Sequence, residues 1–254
     1  MGQRLDNATA LYLEAIRDGD YVAAINAYAG DRYTQHSTPV KDGKEGFVEF
    51  FADFVERNPT REIQIIRGFE DGPYVFLHVV QILDDGRYRY VTADIFDTDD
   101  AAKLIEHWDI IEELRDTTES GRTQVDGPTE VSDLAETEAS KQLVTRFADE
   151  VLLAGAFDRL SEFMVPDYAE HNPDVGDGIA ALHDFTAETG MRYVELHKTV
   201  GSGNFVATLA EVEVSGERRA VIDLFRVAAG MIVEHWDVAE EITPEDTWVN
   251  SGKF

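Results

Sequence analysis

The chain has no cysteine, which excludes disulfides, thiol chemistry and thiolate-bound metal. Lysine is nearly as scarce, with only Lys41, Lys44, Lys103, Lys141, Lys198 and Lys253 in 254 residues. Lys and Arg together number 22 against 51 acids, a formal net charge of −29. A field of that sign repels phosphate backbones and anionic headgroups, so neither nucleic acid nor a membrane surface is an expected partner. No apolar run approaches the roughly 20 residues of a membrane span. Residues 1–20 lack the basic patch and apolar core of a signal peptide, so a soluble cytoplasmic protein is the expectation. Glycine-rich phosphate loops, a Gly-x-Ser-x-Gly elbow and closely spaced histidines are missing too. A metal site, a phosphate-binding loop and a serine nucleophile are thus poorly supported.

What is present is an internal repeat. Tyr33-Thr34-Gln35-His36 returns as Tyr168-Ala169-Glu170-His171, and Asp42-Gly43 as Asp177-Gly178, both shifted by 135 residues. Asp94-Ile95-Phe96 returns as Asp223-Leu224-Phe225, and Glu106-His107-Trp108-Asp109 as Glu234-His235-Trp236-Asp237. The order is kept while the offset shrinks slightly, as small loop deletions produce. A period this long is a domain with its own core, not a solenoid unit. The expected division is residues 1–116, a linker over 117–132 carrying Asp126-Gly127-Pro128, and residues 133–254.

Each copy reads as helices followed by strands. In the first, apolar positions spaced three and four apart predict a helix over about 5–18, with a short helix from Tyr21 to Tyr28. An extended piece then carries Tyr33 to His36. Phe47, Phe50, Phe51, Phe54 and Val55 mark the buried face of a further helix, which Asn58-Pro59 stops. Strands follow at about 61–69, 73–84, 87–98 and 103–114, joined by turn-forming Asp and Gly residues. Helices first and an antiparallel meander second give an α+β class, with helices on one face of a curved sheet. Large apolar residues on both faces of 103–114 leave neither face solvated. That predicts two such domains paired as an intrachain pseudo-dimer, with further self-association left open.

Tyr33, His36 and Pro39, the Asp-Gly pair before an aromatic helix, Asp94-Ile95-Phe96 and Glu106-His107-Trp108-Asp109 together resemble the SnoaL-like polyketide cyclase family, of the nuclear-transport-factor-2-like superfamily. Trp248 to Phe254 also resembles the tail found in relatives. The resemblance implies two cone-shaped domains with apolar pockets. It also implies aldol-type ring closure without cofactor or metal, by an Asp of the penultimate strand and a His on a neighbouring strand.

Carried onto this chain, the acid/base residue is Asp94. Its strand face also holds Tyr88, Tyr90, Thr92 and Phe96, and an aromatic setting raises a carboxyl pKa. His78 and His107 are its expected catalytic partners. His36, Tyr33, Phe51, Tyr90 and Asp109 are expected to bind substrate, as are His171, Asp223 and His235 in the second copy. Trp108 reads as packing or interface, and Glu106 as facing solvent or an interface. Leu209 stands where the first copy has His78, so the first copy is the better catalytic candidate. The expected ligand is a small apolar carbonyl compound turned over by acid/base chemistry of the cyclase, aldolase or isomerase kind. The alternative is a non-catalytic binder of a hydrophobic molecule or an accessory protein of the same fold.

Overall fold

The computed structural model describes residues 2–254. The chain forms two compact units. Unit 1 takes the chain up to Glu113 together with Thr243–Phe254, and unit 2 is Leu114–Ile242.

In unit 1, α1 (Gln3–Leu11) runs on into a π-helical turn, Tyr12–Arg17. α2 (Tyr21–Tyr28), β1 (Ala29–Gln35) and α3 (Gly43–Arg57) follow. Then come β2 (Arg61–Asp71), β3 (Tyr74–Leu83), β4 (Tyr88–Thr98) and β5 (Leu104–Glu113). Unit 2 repeats this order, with a 3-10 helix, Phe157–Glu162, where unit 1 has α2. Its α4 (Thr137–Phe147) also ends in a π-helical turn, Ala148–Leu152. β6 (Met164–Glu170), α5 (Gly178–Thr189), β7 (Arg192–Ser202), β8 (Phe205–Val214), β9 (Glu217–Ala228) and β10 (Met231–Glu241) complete it.

Each unit is α+β, with one five-stranded sheet ordered β1-β5-β4-β3-β2 or β6-β10-β9-β8-β7. The four predicted strands of each meander are there. The short extended piece is a fifth strand, paired parallel to the last one, with Gln35 opposite His107 and Glu170 opposite His235. Its alternation is too brief to signal a strand; parallel pairing with a distant strand is what fixes it.

The helices cover one sheet face. Phe47 and Phe51 of α3 pack with Leu5, Ala8, Leu11 and Ala15 over Val75, Leu77, Val79 and Phe96. The Asp-Gly pair before α3 has a definite task. Asp42 Oδ1 accepts the Gln35 backbone N–H at 2.8 Å, tying the end of β1 to the start of the helix. Asp177 does the same for Glu170 at 2.9 Å. The glycine that follows takes a positive φ, +84° at Gly178, where a Cβ would lie 2.8 Å from the Pro166 carbonyl oxygen. The central strands are buried on both faces, as from Val75 to Val80.

Two segments differ from the expected division. Residues 117–132 are not a free linker but part of unit 2, and 243–254 belong to unit 1. Polar side chains explain both. Within unit 2, Arg115 pairs with Asp174 at 2.6 Å and Arg122 with Asp177 at 2.9 Å, while Trp236 Nε1 donates to the Asp126 carbonyl. Within unit 1, Asn250 Nδ2 donates to the carbonyls of Ser37 and Val40.

Candidate functional site

Pleating divides Glu106-His107-Trp108-Asp109 between the two faces of β5. His107 and Asp109 face the helices, and Glu106 and Trp108 face away. In antiparallel strands, directly opposite residues share a face. Asp94 lies opposite both Asp109 and Leu77, and Phe96 opposite His107. The helix-facing surface of the sheet therefore brings Asp94, His107, Asp109 and Gln35 together.

There the Asp94 carboxylate meets His107, Oδ1 to Nε2 at 2.9 Å. Its other oxygen accepts from the Thr92 hydroxyl at 2.9 Å. Thr92 in turn meets the Tyr12 hydroxyl, which accepts from Gln81 Nε2 at 2.9 Å. On its far side, His107 Nδ1–H donates to Gln35 Oε1 at 3.0 Å. Phe96 stacks on the ring at 4.2 Å and fixes its plane. Burial pushes the Asp94 pKa above the ordinary carboxylate range, opposed by the bond from His107 and reinforced by nearby Asp109.

These groups line a cavity of about 100 Å³. Its walls are Leu11, Tyr12, Ile16, Phe47, Phe51 and Phe96, with the partly exposed Phe50, Phe54 and Ile111 also lining it. Two polar atoms in this wall have no hydrogen-bond partner among the described residues, the Tyr33 hydroxyl and Asp109 Oδ1. Burial pushes the Tyr33 pKa up, as do Asp109 and Asp94, so the hydroxyl keeps its proton and remains a donor. Lys253 is buried beside this wall, donating to the Asp109 carbonyl at 2.7 Å with Nζ 3.7 Å from Oδ1.

Asp94, His107, Tyr33, Phe51 and Asp109 thus come together at one cavity. Three other first-copy candidates do not. His78 lies opposite Ala93, on the sheet face away from the cavity, with Nδ1 2.8 Å from Arg67. Tyr90 is partly exposed and does not line the cavity. His36 is buried elsewhere. Its Nδ1–H donates to the Gly252 carbonyl at 2.7 Å, its Nε2 meets Glu106 at 2.9 Å, and its ring stacks on Trp108 at 4.6 Å. Glu106 is accordingly not a solvent-facing bystander. Burial works against its charge, but His36 and Arg32 hold its pKa below the usual range. His36 latches the C-terminal segment onto unit 1. His171 does the same work in unit 2, meeting the Thr123 carbonyl at 2.7 Å and Glu234 at 3.0 Å while stacked on Trp236. Sequence reasoning passed over Gln35, Tyr12, Gln81 and Lys253. Gln35 stood inside the repeated tetrapeptide and differed between the copies.

In unit 2, His235 Nδ1–H donates to Glu170 at 2.8 Å, and Nε2 lies 3.2 Å from Asp223. Burial opposes its charge, but Glu170, Asp223 and Asp237 hold its pKa well above the usual imidazole value. The cavity here is smaller, about 40 Å³. Asp223, His235 and Asp237 bring N and O atoms within 4.8 Å of one another, but both ring nitrogens of His235 already serve carboxylates, so the cluster is a hydrogen-bond network with no ring nitrogen free for a metal.

A family model described as a SnoaL-like domain matches residues 9–107 and 144–235. No curated protein matches the chain. Similar solved structures include a candidate ketosteroid isomerase from Kribbella flavida, 17% identical, covering 43% of this chain and 83% of that one with a TM-score of 0.38. A candidate polyketide cyclase from Bacillus cereus is 17% identical over 43% of this chain and 74% of that one, with a TM-score of 0.39. An NTF2-like protein from Cytophaga hutchinsonii is 17% identical over 45% of this chain and 95% of that one, with a TM-score of 0.36.

Proposed function

We propose that this chain, which belongs through both its units to the SnoaL-like domain family, is an acid/base enzyme that works with its own side chains on a small apolar carbonyl compound in unit 1. The observation that carries this reading is the Asp94–His107 contact at 2.9 Å, in an apolar cavity wall beside a Tyr33 hydroxyl that has nothing to donate to. A buried donor without an acceptor costs about 1–3 kcal/mol, and a bound carbonyl oxygen would remove that cost.

Asp94 and His107 share one proton. With Nδ1–H committed to Gln35, Nε2 either carries a hydrogen toward the carboxylate or accepts one from the carboxylic acid. Asp94, as carboxylate, takes the proton from the carbon beside the substrate carbonyl. The electron pair of that C–H bond moves into the carbonyl, and the oxygen that becomes negative is held by Tyr33 O–H. In a β,γ-unsaturated carbonyl compound the result is a dienolate, and return of the proton to its γ-carbon completes an isomerisation. Attack of the enolate carbon on a second carbonyl, with the proton passed to the new alkoxide, completes an aldol closure. A cavity of about 100 Å³ is smaller than the roughly 150 Å³ that admits benzene, so the substrate is small or displaces Phe50 and Phe54 on entry.

The test is deuterium exchange. Small cyclic and aryl ketones incubated with the protein in D2O should lose their α-proton NMR signals faster than in buffer, and a His107→Gln variant should not accelerate the loss. If no ketone exchanges but apolar ligands bind with saturation, the binding-module reading replaces this one. The locked arrangement around His235 favours that second reading for unit 2.

A further inference from the structure

The two units carry one difference at the same register position. Beside His107 stands Gln35, and beside His235 stands Glu170. An amide oxygen accepts one hydrogen bond from Nδ1–H and leaves Nε2 free to hold or release a proton. A carboxylate on each side of the ring leaves no such freedom. Glu170 and Asp223 are both fixed as acceptors. Glu170 receives the backbone N–H groups of His171 and Asn172 at 2.9 Å and the Tyr168 hydroxyl at 2.7 Å. Asp223 receives the Tyr193 hydroxyl at 2.8 Å and the Thr208 hydroxyl at 3.0 Å. Only a ring with hydrogen on both nitrogens satisfies the two together. The charged groups acting on His235 are Glu170 on β6, Asp223 on β9 and Asp237 on β10, and the titratable hydroxyls behind them are Tyr168 of β6, on Glu170, and Tyr193 of β7, on Asp223. All of them are acids.

We propose that Glu170 locks His235 as a permanent imidazolium, so that unit 2 holds its proton fixed while unit 1, with Gln35 at the same position, alone exchanges one. Residue 35/170 is thus a positioning residue that decides whether the dyad of each unit works. The half concerning unit 1 rests on the proposed acid/base function. The half concerning His235 does not.

Histidine ring NMR of the full chain separates the two. The His235 signals are identified by their loss in His235→Gln. In the wild type they should stay at imidazolium positions from about pH 5 to about pH 9. Glu170→Gln, nearly isosteric, should bring their titration down by about one pH unit or more. The reciprocal Gln35→Glu should fold and slow ketone α-proton exchange at least ~10-fold. Should Glu170→Gln fail to fold, the wild-type titration still decides. A wild-type His235 titrating near the free value of roughly 6.5, or one unmoved by Glu170→Gln, overturns the lock. Absence of ketone exchange in the wild type, with His235 still locked, overturns the acid/base function instead.

Discussion

Replacing Asp94 by Asn should move activity and stability in opposite directions. Asp94 accepts two hydrogen bonds, from His107 and from Thr92, both at 2.9 Å. Asn has an oxygen to keep Thr92 and an amide hydrogen to offer His107 Nε2, whose other nitrogen stays on Gln35. The bond count is preserved, so the exchange itself costs within about 1 kcal/mol. The charge does not survive the exchange, and here the sign follows from burial. The folded pKa of Asp94 is raised, so the folded state holds its proton more tightly than the unfolded chain. Wild-type stability therefore falls as pH rises from the unfolded value near 3.9 to the folded one, by about 1.4 kcal/mol for each unit between them. The Asn variant lacks that loss and should equal or exceed the wild type at neutral pH. Its chemistry should fail, because the proton acceptor is gone. Loss of a general base is worth about 10²–10⁴ in rate, or about 3–5 kcal/mol of barrier. The assays are α-proton exchange of a ketone in D2O and urea unfolding at about pH 5 and about pH 7.5. Exchange within ~3-fold of wild type would refute the assignment of Asp94 as base. So would destabilisation beyond ~3 kcal/mol, which would mean the carboxylate is structural.

Further outcomes follow from neighbouring residues. His78→Leu, which installs the Leu209 residue of unit 2, should leave exchange within about twofold of wild type, yet lower the unfolding free energy by about 1–3 kcal/mol through loss of the buried Arg67 contact. Tyr33→Phe removes a hydroxyl that bonds to nothing in the free protein, so the melting temperature should hold or rise while turnover drops about 10-fold or more. Ending the chain at Ile242 removes the contacts of Asn250, Gly252 and Lys253, and should make unit 1 sensitive to proteolysis while unit 2 stays protected. Hydrogen exchange resolved by segment reads that difference.

The repeat, the helix-then-strand order and the central place of Asp94 and His107 were legible because each leaves a local mark: a period, a spacing or a recurring motif. The expectation that His78 would join Asp94 was wrong, and strand parity is what corrects it. A hairpin closing at residues 84 and 87 sets Leu77, not His78, opposite Asp94, and places His78 on the other face. Tyr33 to His36 also recurs as a motif, but the motif does not mark which of its side chains faces which way. Its strand pairs with one about 70 residues later, so nothing local says that Gln35 reaches the dyad while His36 points away from it. The destinations of 117–132 and 243–254 were also hidden. Both segments are polar and rich in turn residues, and only ion pairs and carbonyl contacts remote in sequence hold them.

The alternation along β5 bears on how such motifs are read elsewhere. Glu106 and Trp108 secure a chain end, while their neighbours His107 and Asp109 face the cavity. The tetrapeptide is two interleaved sets of contacts. Either can differ without the other, as unit 2 shows: its Glu234 and Trp236 hold His171 as Glu106 and Trp108 hold His36, while Glu170 gives His235 a different setting. A search that scores the four letters together would count both units as equal. The informative letter lies on another strand, at the position paired with the histidine.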